Sequence, residues 1–217
     1  MKIKWFGQSC FLITAENGTR IVTDPYENML GYKLPVPLEA ELVTTSHNHR
    51  DHNHVGAVCG DFEHIRDPGH FTAAGIELTG VETFHDNVSG AKRGKNIVYN
   101  LTIDGLRVCH CGDLGHLLSP EQLAAVGKAD ILMVPVGGGR ALTLDARRAA
   151  EVMRQLRPAV VVPMHYRTKA MGPLGLAFGK VGDFIAASGM EATKYDILDV
   201  GPSNLREHAG VAVLRYD

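Results

Sequence analysis

Residues 46–54 read Ser-His-Asn-His-Arg-Asp-His-Asn-His, and this stretch constrains the chain more than any other. Neutral imidazole and carboxylate are the ligands that Zn²⁺, Mn²⁺ and Fe²⁺ accept. The run Glu41–Thr45 just before it predicts a strand. His47 and His49, two apart at that strand's end, can then point to one side. Asp51 and His52 follow where the chain turns, and they reach a second, neighbouring point. One loop thereby offers ligands to two ions. The bland alternative is a polar loop that happens to be His-rich, since the chain holds 11 histidines in 217 residues. With positions taken as independent, however, His-x-His-x-Asp-His arises in only roughly two in a thousand such chains. The metal reading is the stronger one.

The other ligands of a two-metal site are expected at further strand ends, where irregular loops converge. His85 ends the strand predicted over 80–84, Asp113 follows the strand over 106–111, and His165 stands in Pro163-Met164-His165-Tyr166. Singly, each is as easily structural; that all three directly follow apolar strands favours function. His54, His64, His70 and His208 lie in polar stretches and read as solvated surface, while His110 and His116 are ambiguous between a supporting layer and strand packing.

The rest of the chain sets limits. A length of 217 residues predicts one α/β domain over 1–217, and 45% hydrophobic residues suffice for its core. The net charge is −2 with no long basic run, so nucleic acid is not an expected partner. The N-terminus shows no signal-peptide pattern, and no apolar run is long enough to span a bilayer, so no membrane partner is expected. Four cysteines are too sparse for a disulfide scaffold; Cys109 and Cys111 read as buried on one strand face, and a reducing, cytoplasmic setting follows. Strands are predicted at Lys2–Phe6, Phe11–Ala15, Arg20–Thr23, Gly75–Phe84, Asn96–Ile103, Leu106–Cys111, Ile131–Val136 and Ala159–Pro163, with an Asp104-Gly105 hairpin turn. Residues 26–38 read as a surface loop, and Val55–Cys59 as a short helix. Helices are expected at Pro120–Val126, with Ser119 and Gln122 as a capping box, at Leu144–Leu156 and at Val181–Ala187. Strands first and helices between strands later suggest two mixed sheets with helices outside.

These motifs together resemble the metallo-β-lactamase superfamily, in its small single-domain, ascorbate-6-phosphate lactonase-like branch. Ile21-Val22-Thr23-Asp24-Pro25, the 47–52 signature, Thr83-Phe84-His85-Asp86 with Arg93-Gly94-Lys95-Asn96, His110-Cys111-Gly112-Asp113 and Val162-Pro163-Met164-His165-Tyr166 carry the resemblance over nearly the whole chain. It implies an α/β (α+β) fold, a four-layer αββα sandwich. It implies one metal held by His47, His49 and His85, a second held by Asp51, His52 and His165, and Asp113 bridging them. Asp24 would support a ligand from behind. The family's chemistry is hydrolysis of esters, lactones, amides or phosphodiesters. The sequence lacks the large insert of nucleic-acid-processing members, and it has His49 where diiron oxidoreductase members place Glu.

The expected cofactor is two divalent ions, zinc first, with manganese, iron or nickel as alternatives. Water between two cations about 3.5–4 Å apart loses a proton near neutral pH and attacks a carbonyl or phosphorus. Asp51 is the candidate catalytic carboxylate, and Tyr166 a candidate donor to the developing oxyanion, with packing beside His165 equally open. Lys92, Arg93, Arg140, Arg167 and Lys169 follow ligand strands or the Gly137-Gly138-Gly139 loop. If they face the metals they favour a small anionic substrate. A metal-dependent sensor without turnover and a nucleic-acid phosphodiesterase are the rival readings.

Overall fold

The computed structural model describes residues 1–139 and 143–216. Strands of the first 65 residues, joined at one edge by β15 from near the C-terminus, form a six-stranded sheet of β1 (Lys2–Trp5), β2 (Phe11–Thr14), β3 (Arg20–Thr23), β5 (Leu42–Thr44), β7 (Glu63–Ile65) and β15 (Leu198–Asp199), in the order β15-β1-β2-β3-β5-β7. A two-stranded ladder, β4 (Leu38–Glu39) with β6 (Val58–Cys59), lies beside it in sequence. The second sheet has eight strands. These are β8 (Gly69–Ala73), β9 (Ile76–Phe84), β10 (Lys95–Ile103), β11 (Leu106–His110), β12 (Ile131–Pro135), β13 (Val160–Met164), β14 (Ala192–Tyr195) and β16 (Gly210–Leu214), in the order β14-β16-β13-β12-β11-β10-β9-β8. The helices are α1 (Pro120–Val126), α2 (Ala146–Leu156) and α3 (Val181–Ser188).

Period-two burial explains the layering. Ile21 and Leu42, paired in register, belong to the large core shared with the eight-stranded sheet; their neighbours Val22 and Val43, also paired, belong to a second cluster. Successive strand side chains face opposite ways, so both faces of this sheet are covered. On the second face lie Tyr26, Tyr32, Leu34, Leu38, Val58 and Met171. Residues 26–38 are irregular and exposed along much of their length before Leu38, as a surface loop should be, but Tyr26, Tyr32, Leu34 and Leu38 turn inward to cover the sheet. Tyr26 and Tyr32 are each 1% exposed, because no α-helix among the described residues 1–65 supplies the apolar cover. Helix α2 buries Ala149, Val152, Met153 and Leu156, the stripe its spacing predicts.

Several local expectations are met by identifiable chemistry. Ser119 accepts from Gln122 N–H while the Gln122 side chain returns to Ser119 N–H, a complete capping box, with Pro120 at the first helical position. Asp104 and Gly105 both take positive φ, +49° and +79°, as the tight hairpin turn requires. In the two large sheets, β7 and β8 escaped sequence reading. Both are edge strands with few buried residues; β7 shows no apolar alternation, and in β8 only Phe71 and Ala73 mark the inward face, too weak a signal to detect. The short helix expected at Val55–Cys59 is one 3₁₀ turn, Val55–Ala57, followed by β6; three residues containing Gly56 cannot propagate further. No helix among the described residues is long and apolar enough to cross a membrane.

Candidate metal centre

Strand direction decides where the loops meet. Strands β1 and β3 both run antiparallel to β2, and β5 runs parallel to β3. Their carboxyl ends therefore share one edge, which carries Gln8, Asp24 and the 46–52 loop. Likewise β9 and β11 both run antiparallel to β10, and β12 and β13 continue parallel to β11. Their carboxyl ends carry His85, Asp113 and His165. The loops converge on two groups, His47 with His49 and His85, and Asp51 with His52, Asp113 and His165; within each group the ligand-type atoms lie within 4.8 Å of one another.

Asp113 joins the groups. Its Oδ2 lies 3.0 Å from His85 Nε2 in the first group, and 3.3 Å from His52 Nε2 and 3.5 Å from His165 Nε2 in the second. Asp51 Oδ2 stands 3.5 Å from His52 Nε2 and 4.0 Å from His165 Nε2. His47 Nε2 and His49 Nδ1 approach to 2.9 Å, two ring nitrogens aimed at a common point.

A buried layer beneath fixes the rings. Asp24 accepts from Ser46 N–H (2.7 Å), from Ser46 Oγ–H (2.7 Å) and from His52 Nδ1–H (2.8 Å). With its proton given to Asp24, Ser46 Oγ accepts from His47 Nδ1–H at 3.0 Å. One carboxylate thus sets the ring orientation of two imidazoles, with His47 Nε2 beside His49 Nδ1 and His52 Nε2 beside Asp113, the arrangement that orients metal-binding histidines. Asn96 is a member that the strand and cluster readings missed. Fully buried, it takes Asp113 N–H on Oδ1 (2.9 Å) and gives its amino group to Thr83 Oγ1 (2.8 Å) and Cys111 O (3.0 Å). Its signal was a polar residue just ahead of the apolar run Ile97-Val98-Tyr99. Gly112, with φ +53°, is required where it stands, because a Cβ there would lie 2.5 Å from Ser46 Cβ.

The electrostatics fit a cation. Burial, aided by the charge of His52, lowers His47 to about 3, and burial then His85 lowers His49, so both are neutral donors. Burial also disfavours charge on His52, but Asp113 and Asp24 outweigh it and raise that ring well above the usual range. Burial raises Asp113, yet His165 and His52 pull it well below the ordinary carboxylate range. Positive charge is strongly favoured among these carboxylates. Moreover His52 Nε2, His85 Nδ1, Asp113 Oδ1 and both ring nitrogens of His165 are buried without a hydrogen-bond partner. Buried polar atoms rarely remain so. A nitrogen-oxygen donor set of this kind, with orphaned lone pairs, matches what a divalent transition metal takes.

The remaining histidines are structural or peripheral. His110 donates Nε2–H to Ser9 O (2.8 Å) and accepts Gly112 N–H on Nδ1 (3.3 Å). His116 accepts Phe84 N–H at 3.0 Å, bracing the strand end before His85. His64 is not simply solvated, since it bonds Thr45 Oγ1 at 2.8 Å. Tyr166 is 5% exposed and stacks on Trp5 at 5.0 Å between ring centroids; burial raises its phenol.

The candidate substrate contacts separate. Arg93 lines a cavity of about 600 Å³ with His47, His49, Asn48, Arg66 and Lys95. Lys92 lines a different cavity of about 350 Å³ with Asp86, Gly138 and Asp145. Arg167 is half-buried with its stem against Gly175, and Lys169 is exposed at the start of the 3₁₀ segment Lys169–Ala177. Arg140 lies outside the described residues.

Comparison with known proteins places this architecture. The model of the beta-lactamase superfamily domain matches residues 2–165, a span holding all seven candidate ligands. A UPF0173 protein of Pyrococcus furiosus is 31% identical, spanning 77% of this chain and 84% of its own length. A UPF0173 metal-dependent hydrolase of Thermoplasma acidophilum is 27% identical with the same coverage. Among solved structures, a proposed Zn-dependent hydrolase of the metallo-β-lactamase superfamily from Thermotoga maritima superposes with a TM-score of 0.80 at 37% identity, covering 98% of this chain and 97% of that one. The chain therefore belongs to the β-lactamase superfamily, and its sandwich of sheets is the metallo-β-lactamase fold.

Proposed function

We propose that the protein is a metal-dependent hydrolase that binds two divalent ions, zinc by preference, and cleaves a lactone, ester or phosphodiester bond in a small anionic substrate. The observation that carries the reading is Asp113 Oδ2, set within 3.0–3.5 Å of imidazole nitrogens from both ligand groups. His47, His49 and His85 would hold one ion, Asp51, His52 and His165 the other, with Asp113 shared. Bound metals supply Lewis acidity and acidify water to near neutral pH. Asp51, a quarter exposed where Asp24 and Asp113 are buried, would be the carboxylate that takes a proton during hydrolysis. Tyr166 is better suited to packing than to proton donation. Arg93 and Arg66 would meet the substrate's anionic group, since neither has an ion-pair partner among the described residues, whereas Lys95 is bound to Glu82 at 2.8 Å. A cavity of about 600 Å³ suits a small molecule. Four free cysteines, three of them buried, support a reducing, cytoplasmic compartment.

The test is elemental analysis followed by turnover of a panel of lactones, phosphodiesters and thioesters. Close to two ions per chain, with hydrolysis abolished by chelator and restored by metal, is expected. Metal uptake without turnover of any substrate would favour a sensor, and no uptake at all overturns the reading. Arg93→Ala should raise KM for an anionic substrate by roughly tenfold or more while leaving a matched neutral analogue unaffected.

A further inference from the structure

Gln8, on the turn between β1 and β2, carries two costs at once. Its side chain is fully buried with both amide atoms unpartnered, and its backbone is left-handed at φ +48°. Glycine or asparagine makes such a turn more easily, so the turn alone does not account for glutamine. Strained backbone and orphaned polar atoms together point to a functional task. The neighbourhood indicates which one. Gln8 lies at the shared carboxyl edge of the six-stranded sheet, and its carbonyl accepts His165 N–H at 3.1 Å and Trp5 Nε1–H at 3.0 Å.

His165 has the complementary deficiency. His47 and His52 each give Nδ1–H to an acceptor below the centre, but His165 is 4% exposed with no partner on Nδ1. A metal-binding imidazole ordinarily donates its second ring N–H to an outer acceptor, which fixes tautomer and orientation. We propose that the Gln8 carboxamide oxygen is that acceptor for His165 Nδ1–H, making Gln8 the positioning residue of the last ligand. The inference rests on His165 being a ligand. Gln8 is the residue whose backbone is already bonded to His165, and its carboxamide and the His165 Nδ1 are both buried without a partner. Ser9 Oγ is also unpartnered, but the Ser9 backbone is tied to His110 and Thr23 rather than to His165.

The experiment measures metal affinity by chelator competition in wild type, Gln8→Ala, Gln8→Asn and Gln8→Glu, alongside ¹⁵N spectra of the His165 ring. Gln8→Ala is expected to weaken one of the two ions by about tenfold or more and leave the other unchanged. Gln8→Asn keeps the carboxamide and suits the left-handed turn but is too short, so it should lose affinity while folding normally. Gln8→Glu should restore it. In the loaded wild type the His165 Nδ1 proton should be slow to exchange, and this protection should vanish in Gln8→Asn. Wild-type affinity in both short variants, or failure of glutamate to rescue, overturns the proposal while leaving the hydrolase reading intact. A wild type that takes up no ion fails both.

Discussion

Asp113 and Asp24 are both buried, but their tasks differ. Asp113 reaches imidazoles of both ligand groups, and a carboxylate between two cations also offsets their mutual repulsion. Asp113→Ala should therefore reduce metal content more than His47→Ala or His52→Ala, each of which, in the proposed scheme, would remove a ligand from one ion. Elemental analysis of the three purified variants decides it, and equal metal content in Asp113→Ala and wild type refutes the bridging role. Asp24 touches no ion in this scheme. It selects tautomers, directly at His52 and through Ser46 at His47. Asp24→Ala should weaken metal binding by about 10–100-fold, read by chelator competition, with every ligand still in place. Unchanged affinity would show that packing alone orients the rings.

At the scale of elements, the segment after β9 is held by one side chain. Asp86, 1% exposed, accepts N–H from Val88 and Gly90 on one oxygen and from Lys92 and Arg93 on the other, at 2.8–2.9 Å. Burial opposes its charge, but these four donors prevail and hold its carboxyl down to about 2. A depressed carboxyl stabilises the fold above its unfolded value near 3.8, and this support disappears as pH falls through about 2. Asp86→Ala should expose the four amides to fast hydrogen exchange, and each that stays buried costs about 1–3 kcal/mol. Since the loop carries Arg93 to the cavity beside His47, KM for an anionic substrate should rise while metal content stays. Protected amides in the variant would mean that the glycines alone shape the turn. Helix α1 gives a control remote from the site. Ser119→Ala should cost about 1 kcal/mol through loss of the cap, seen as a lower denaturation midpoint with unaltered metal binding.

For the molecule as a whole, the centre links stability to pH. In the metal-free protein His52 is raised, because Asp113 and Asp24 outweigh its burial, so its contribution is complete below the unfolded value near 6.5 and is lost as pH rises through the folded value. Metal-free protein should therefore lose stability on moving from neutral to alkaline solution. A bound cation replaces the proton, so metal binding should release protons and tighten as pH rises. Denaturation of metal-free and metal-loaded protein across this range measures both effects, and a flat metal-free profile would count against a proton shared by His52 and its carboxylates. The sequence by itself determined the candidate ligand residues, the strand ends that bear them, the Ser119 cap and the Asp104-Gly105 hairpin turn, because those depend on neighbours within a few residues. It could not determine that residues 26–38 cover a sheet, that Asn96 ties Asp113 to Thr83, or that Lys92 and Arg93 face different cavities. Edge strands β7 and β8 bury too few apolar side chains to announce themselves. Those features follow from strand order and direction, which bring distant carboxyl ends to one edge, and pairing of that kind leaves no periodic trace in the chain.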